Sequence, residues 1–365
     1  MRKGNAFTSV DFKILLFTGL MLGPGATASA QMCPVGQIPP PDEEITTYSV
    51  LGYDPETGDV GIAIASRVFN VRSFYGKAGV GVVTLQHSFS GENLLTAVEG
   101  VELLEMGFEP AEAIRMLMSK DAGRDWRQIG MVDARGNVMA FTGPDCTYWA
   151  GDRQGTYNTA QGNMLTGKET VDAMVSTFES TEGELADRLM AALLKADSVG
   201  GDARGKQSAA LRVYREPGPE VRGGDLQGLN GEPMDHHVDL RVMDHEEPVR
   251  EMARLWQTRK DFQLLGIARR AFNAGEVGRG MEIAKEFIRR RPEETSGYET
   301  LALMFYQTGE KDQAIEWFRE AEARTPRFEE LFRMRINVIG DRAGSRGQYS
   351  IFEDDPEFLR RLFGR

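Results

Sequence analysis

Thr46 and Thr47 open the stretch "TTYSVLGYDPETGDVGIAIAS", which runs to Ser66. Two readings of the pair stand open. β-Branched residues suit the start of a strand. Alternatively, one threonine is a nucleophile held in reserve until a cut makes it an N-terminus. Conventional chemistry is harder to assemble. The histidines are His87, His236, His237 and His245. Zinc accepts histidine and carboxylate ligands, but adjacent His236 and His237 in a strand would face opposite ways. No metal site is therefore expected, and nothing calls for a cofactor. "DPETGD" has the composition of a calcium loop without its spacing. No nucleophile-elbow sequence supports a serine triad.

Two glycine-flanked clusters say more. "QGNMLTG" sets Asn163 directly after a glycine, at a strand end. "GGDARGKQSAAL" gathers Asp202, Arg204, Gln207 and Ser208 between a helix and a strand. Glycine allows close backbone approach, and an Asp/Arg pair can hold a loop or a ligand carboxylate. A helix C-cap, a turn and a surface ion pair explain the second cluster equally well.

The elements that must position these residues are read from periodicity. Residues 47–54 and 59–66 form a hairpin around "PETG". A valine-rich strand covers 78–86 and a second hairpin 128–143, turning at "ARGN". Helices are expected over 93–106, 110–120, 168–179 and 182–196, with closing strands at 209–214 and 238–242. Strand pairs alternating with helix pairs imply an α+β domain of sheets covered by helical layers. From His245 the pattern is continuous helix with a 34-residue repeat, in which Gly275 and Pro292 recur as Gly309 and Pro326. Tyr298, Leu301, Ala302, Phe305, Gly309, Ala314, Phe318, Ala321 and Pro326 fit the tetratricopeptide pattern. Helices over 247–259 and 327–337 would complete the array, the second as a cap carrying Phe328, Leu331, Met334 and Ile336. A loop and a short last helix, 356–363, end the chain. Such a module binds a peptide or protein partner, or docks on its neighbour.

A formal charge of −12 argues against nucleic acid or anionic lipid as a partner. Residues 1–30 read as a signal peptide: basic Arg2, Lys3 and Lys13, an apolar stretch over 14–22, and the small residues of "ATASA". Export, periplasmic or secreted, is expected, with no membrane span. Residues 31–46 form a proline-rich tether or propeptide. Met32 before Cys33 speaks against a lipid anchor. Cys33 and Cys146 are the two cysteines. In an oxidising compartment they either pair, or Cys146 is buried and reduced.

Six segments, "TYSVLGYDPETGDVGIAIASR", "AGVGVVTLQ", "RQIGMVDARGNVMAFTGPDCTYWAG", "QGNMLTG", "GGDARGKQSAAL" and "VDLRVMDH", occur in an order that resembles the domain of unknown function 1028 family over 47–245. The resemblance implies a four-layer αββα domain of the N-terminal nucleophile hydrolase type, followed over 246–340 by the all-α tetratricopeptide-like module and over 341–365 by the loop and last helix. It implies an amide-bond hydrolase with an unknown amide or peptide substrate, exported if the leader is read as above. Thr47 aligns with the nucleophile, whose freed α-amine is the base. Lys77 or Arg67 would tune that amine, and Asn163 would hold the oxyanion. Gln86, His87, Asp202, Arg204 and Ser208 would line or brace the pocket. Here a further cut between Thr46 and Thr47 is needed to make the amine. The alternative is a non-catalytic binding or assembly protein on the same fold.

Overall fold

The computed structural model describes residues 47–87, 92–146, 148–216, 236–339 and 349–364. The leader, the tether and Cys33, and so the question of a disulfide, lie outside the described residues. Strand β1 (Thr47–Tyr53) turns back into β2 (Val60–Ser66). The carboxylate of Asp54 accepts the backbone N–H of Glu56 at 2.9 Å, and its own N–H reaches Asp59 O at the same distance. Such an Asx turn sets a tight hairpin by local bonds alone.

One sheet has six strands. Its order is β10 (His236–Val242), β9 (Ser208–Tyr214), β2, β1, β8 (Asn158–Leu165), β7 (Trp149–Gly155). The other sheet has four: β3 (Phe74–Lys77), β4 (Gly81–Gln86), β5 (Gln128–Asp133), β6 (Val138–Thr142). Period-2 alternation sorts β1 cleanly. Val50 faces a core shared with helices α3 (Glu169–Ser180) and α4 (Leu185–Ser198), while Leu51 faces Val82 and Val132 of the other sheet. Helices α1 (Glu92–Glu105) and α2 (Pro110–Lys120) cover the four-stranded sheet through Val101, Ile114 and Leu117. The layers therefore run helix, sheet, sheet, helix.

Two strands escaped the sequence reading. β7, "WAGDRQG", is an edge strand with no apolar alternation, and β3 has four residues at the opposite sheet's edge. The stretch 78–80, expected in a strand, is the turn between β3 and β4.

Beyond the sheets, α5 (Pro248–Asn273) runs unbroken through what reads in sequence as two helices. Val249, Met252 and Trp256 at its start belong to the same core as α3 and α4. Trp256 Nε1 donates to Asp187 Oδ1 at 2.9 Å, and Lys260 Nζ to the same oxygen at 2.8 Å. A boundary at 245/246 thus falls before side chains that complete the first core. Helices α6 (Val277–Arg290), α7 (Thr295–Gln307), α8 (Lys311–Glu322), α9 (Phe328–Ile339) and α10 (Pro356–Phe363) follow. The 34-residue sequence repeat is a structural one. Gly275 and Gly309 both have φ +87°, and Glu276 N→Ala271 O recurs as Glu310 N→Phe305 O. In α9, Phe328, Phe332 and Ile336 are buried in the seam, while Leu331 and Met334 are exposed. No helix among the described residues is long and apolar enough to cross a membrane.

Candidate active site

Register builds the site. Thr47 lies opposite Ser66 of β2, and Ser66 opposite Ser208 of β9. On its other flank β1 pairs Tyr48 with Gly162, so the next step brings Thr47 against Asn163. One polar row, Asn163–Thr47–Ser66–Ser208, thereby crosses four adjacent strands. None of the four is more than 2% exposed. Thr47 Oγ1 donates to Ser66 Oγ at 3.2 Å, and Ser208 Oγ accepts Val71 N–H at 3.0 Å. Two residues along, Ser49 and Gln161 make a second polar pair on the same face.

The opposing sheet answers with Gln86, Gln128 and Thr142, which lie opposite one another in β4, β5 and β6. Gln86 Nε2 and Gln161 Nε2 both donate to Ser49 Oγ. Gly130 makes room for this crossing, because a Cβ there would sit 2.3 Å from Gln161 Oε1.

The orientation of Asn163 follows from its neighbours. Thr142 Oγ1 gives its proton to Asp152 Oδ2 at 2.6 Å, so towards Gln128 it only accepts. Gln128 Nε2 faces three acceptors: Gly162 O at 2.8 Å, Thr142 Oγ1 at 3.0 Å and Gly151 O at 3.2 Å. The amide of Gln128 is therefore fixed, and its Oε1 takes Asn163 Nδ2 at 2.9 Å. Asn163 consequently turns Oδ1 away, and that oxygen is buried without a partner. An unmet buried acceptor costs about 1–3 kcal/mol. Gln86 Oε1 is likewise buried and unpartnered. The residues directly after Gln86 and Asn163 are left-handed non-glycines, His87 (φ +54°) and Met164 (φ +48°). Such conformations cost about 1–3 kcal/mol each and gather at functional sites.

The other expected site residues divide. Asp202 bridges to Leu165, accepts Arg67 N–H at 3.1 Å and pairs with Arg204 Nη2 at 3.3 Å. Arg67 Nη1 in turn donates to Arg204 O at 2.6 Å. These three brace the chain just past Ser66. His87 is buried, with Nδ1 2.7 Å from Trp126 O and its ring stacked on that indole. Lys77 is not brought to Thr47. It ends β3 opposite Gly81, five residues along β4 from Gln86, or about 17 Å, and it pairs with Glu105. The short edge hairpin of β3 and β4 puts it there. Ser49, Ser66, Gln128 and Gln161 were missed. Alternation from Thr47 marks Ser49; the others need cross-strand register.

Two nearby groups are set apart by burial. The Tyr48 hydroxyl points to the helix side, and desolvation, with Asp197 next, raises its pKa well above the usual range. Cys146 is pushed up to about 11 by burial.

The site therefore sits in a four-layer αββα sandwich, with a threonine at the head of a central strand. The chain matches the model of the family of unknown function DUF1028 over residues 47–252 and belongs to that family. Among solved structures it is similar to protein SPO2555 from Silicibacter pomeroyi, described with the same family. That match is 28% identical, covers 58% of this chain and 85% of that one, and has a TM-score of 0.48. It is also similar to HslV from Trypanosoma brucei, at 10% identity over 46% of this chain and 99% of that one, with a TM-score of 0.31. No curated protein matches. The family match ends at residue 252, inside α5, in keeping with the packing of its first turns.

Proposed function

We propose that this chain is an exported amide-bond hydrolase whose nucleophile is Thr47 Oγ1, released by a cut between Thr46 and Thr47. The observation that carries the reading is the buried row centred on Thr47, with an unpartnered acceptor at Asn163. In the uncut chain the nitrogen of Thr47 is an amide without basicity, and Ser66 accepts the hydroxyl proton without being a base. A cut supplies an α-amine whose ordinary pKa of about 7.7–8.0 suits proton transfer at neutral pH. The amine donates to Asn163 Oδ1 and takes the proton from Oγ1 as it attacks the carbonyl. Arg67, next to Ser66, is the cation nearest in sequence and favours the neutral amine.

Asn163 Nδ2 gives one N–H to Gln128 and keeps the other for the oxyanion, to which Gln86 can add a further donor. Turning the Gln86 amide lets Oε1 accept the Ser49 hydroxyl and frees Nε2 as a donor. The helical hairpins act as a tetratricopeptide-like surface for a peptide or protein partner.

Intact mass and N-terminal sequence of the exported protein test the cut. Thr47→Ala should abolish amide hydrolysis by an otherwise folded protein. Full activity in that variant, or in a chain that begins before Thr47, sinks the proposal. A non-catalytic binding protein is the second reading, favoured by the 1% exposure of Thr47. A chain that stays uncut and inactive with every amide tried would support it.

A further inference from the structure

Among the described residues, the outer strands of the two sheets, β3 and β10, leave an open edge to the sandwich. A groove of about 600 Å³ lies along it, within the range of small-molecule sites. One wall is apolar: Phe74, Val98, Val101 and the ring face of Tyr214. That ring can lie against β3 only because Gly76 has no side chain, since a Cβ there would come within 2.4 Å of it.

The other wall is cationic, in a chain whose formal charge is −12. Arg212 Nη2 donates to Asp239 Oδ2 at 2.5 Å, with its guanidinium 5.5 Å over the Phe74 ring. Arg241 Nε reaches the other oxygen of the same carboxylate at 3.3 Å. Two guanidiniums therefore share one negative charge. Arg72 also lines the groove and is exposed, with no ion pair among the described residues. Lys77 is neutralised by Glu105, and Glu102 is the remaining acid of the lining. The balance is one positive charge in excess, beside an apolar wall. Tyr214 stands six residues along β9 from Ser208, about 20 Å from the Thr47 row at that end.

We propose that this groove binds a small carboxylate carrying a flat apolar group, with the carboxylate held by Arg72 and the Arg212–Arg241 pair. The apolar part lies between Phe74 and the Val98 and Val101 side of α1. Charge and shape both enter: a neutral isostere keeps the apolar contact and loses the ionic one, and a bare anion does the reverse. This site stands whether or not Thr47 is a nucleophile.

The test is calorimetric titration of the full chain with 2-naphthoate, with 2-naphthamide as the neutral counterpart and inorganic phosphate as the charge-only probe. Saturable binding of 2-naphthoate is expected, with both other probes weaker by about tenfold or more, the scale of one charged hydrogen bond. Arg72→Gln should weaken the acid by a similar factor and leave the amide unchanged. Because Arg72 is exposed and has no ion pair among the described residues, an unaltered melting temperature certifies the fold of that variant. Val98→Trp, which fills the groove from the helix side, should abolish binding of the acid. Absence of saturable 2-naphthoate binding overturns the proposal, as does equal affinity for acid and amide. Wild-type affinity in both variants does so too.

Discussion

If Asn163 receives the freed α-amine of Thr47, an acid at that position should retune the amine. Continuing the β1–β8 register one step past Tyr48↔Gly162 sets Asn163 beside Thr47, and Cβ atoms of such a pair lie about 4.5–5.5 Å apart. In Asn163→Asp a carboxylate at about 5 Å, with an effective dielectric near 20, attracts an ammonium by about 3 kcal/mol, or about two pKa units upward. The sign is fixed, because the carboxylate favours the charged amine. The neutral base then appears only at higher pH, and the acid limb of any activity moves up with it. Asn163→Leu removes the acceptor and should lower the same pKa, by less than the acid raises it. Both variants strip Gln128 Oε1 of its donor and should lose about 1–3 kcal/mol of stability. The assay needs no substrate: carbamylation of the α-amine by cyanate, followed against pH on chains beginning at Thr47. Identical titration midpoints in wild type and both variants would refute the placement of Asn163.

Trp256→Ala should cost about 3–5 kcal/mol, since it empties a core site and strips the indole from Asp187. Chemical unfolding measures it. For the same reason a chain ended at 246 should lose cooperative unfolding, while one ended at 275 should keep it. Cys146, with its pKa near 11, should alkylate at pH 8 about a hundredfold more slowly than a thiol at its ordinary value of 9.0. Iodoacetamide kinetics on native and urea-unfolded protein check this, and equal rates would show the thiol to be accessible.

Local signals carried much of the fold. The "PETG" hairpin, the proline-led α2 and the 34-residue repeat each rest on residues within one turn or one repeat, and all appear where their patterns fall. Edge strands such as "WAGDRQG" are set by pairing with β8, which no local pattern records. The same division runs through the site. Thr47 and Asn163 stand out by their places at strand ends, yet only register makes them neighbours. Lys77 looked close because it is close in sequence, and the β3 turn carries it to the far end of its sheet. The acceptor role of Asn163 depends on a proton chain through Gln128, Thr142 and Asp152, three residues from three separate strands.

The continuity of α5 has a mechanical consequence. At 26 residues it is about 39 Å long. One end is clamped to the sheets by Trp256, and the other forms the first arm of the hairpin array. With no loop between clamp and array, the helix is a rigid handle whose azimuth is set by residue count. Inserting one alanine near its middle would swing the array by about 100° and advance it by about 1.5 Å. The hairpin surface would then be aimed elsewhere, with every side chain of both ends still present.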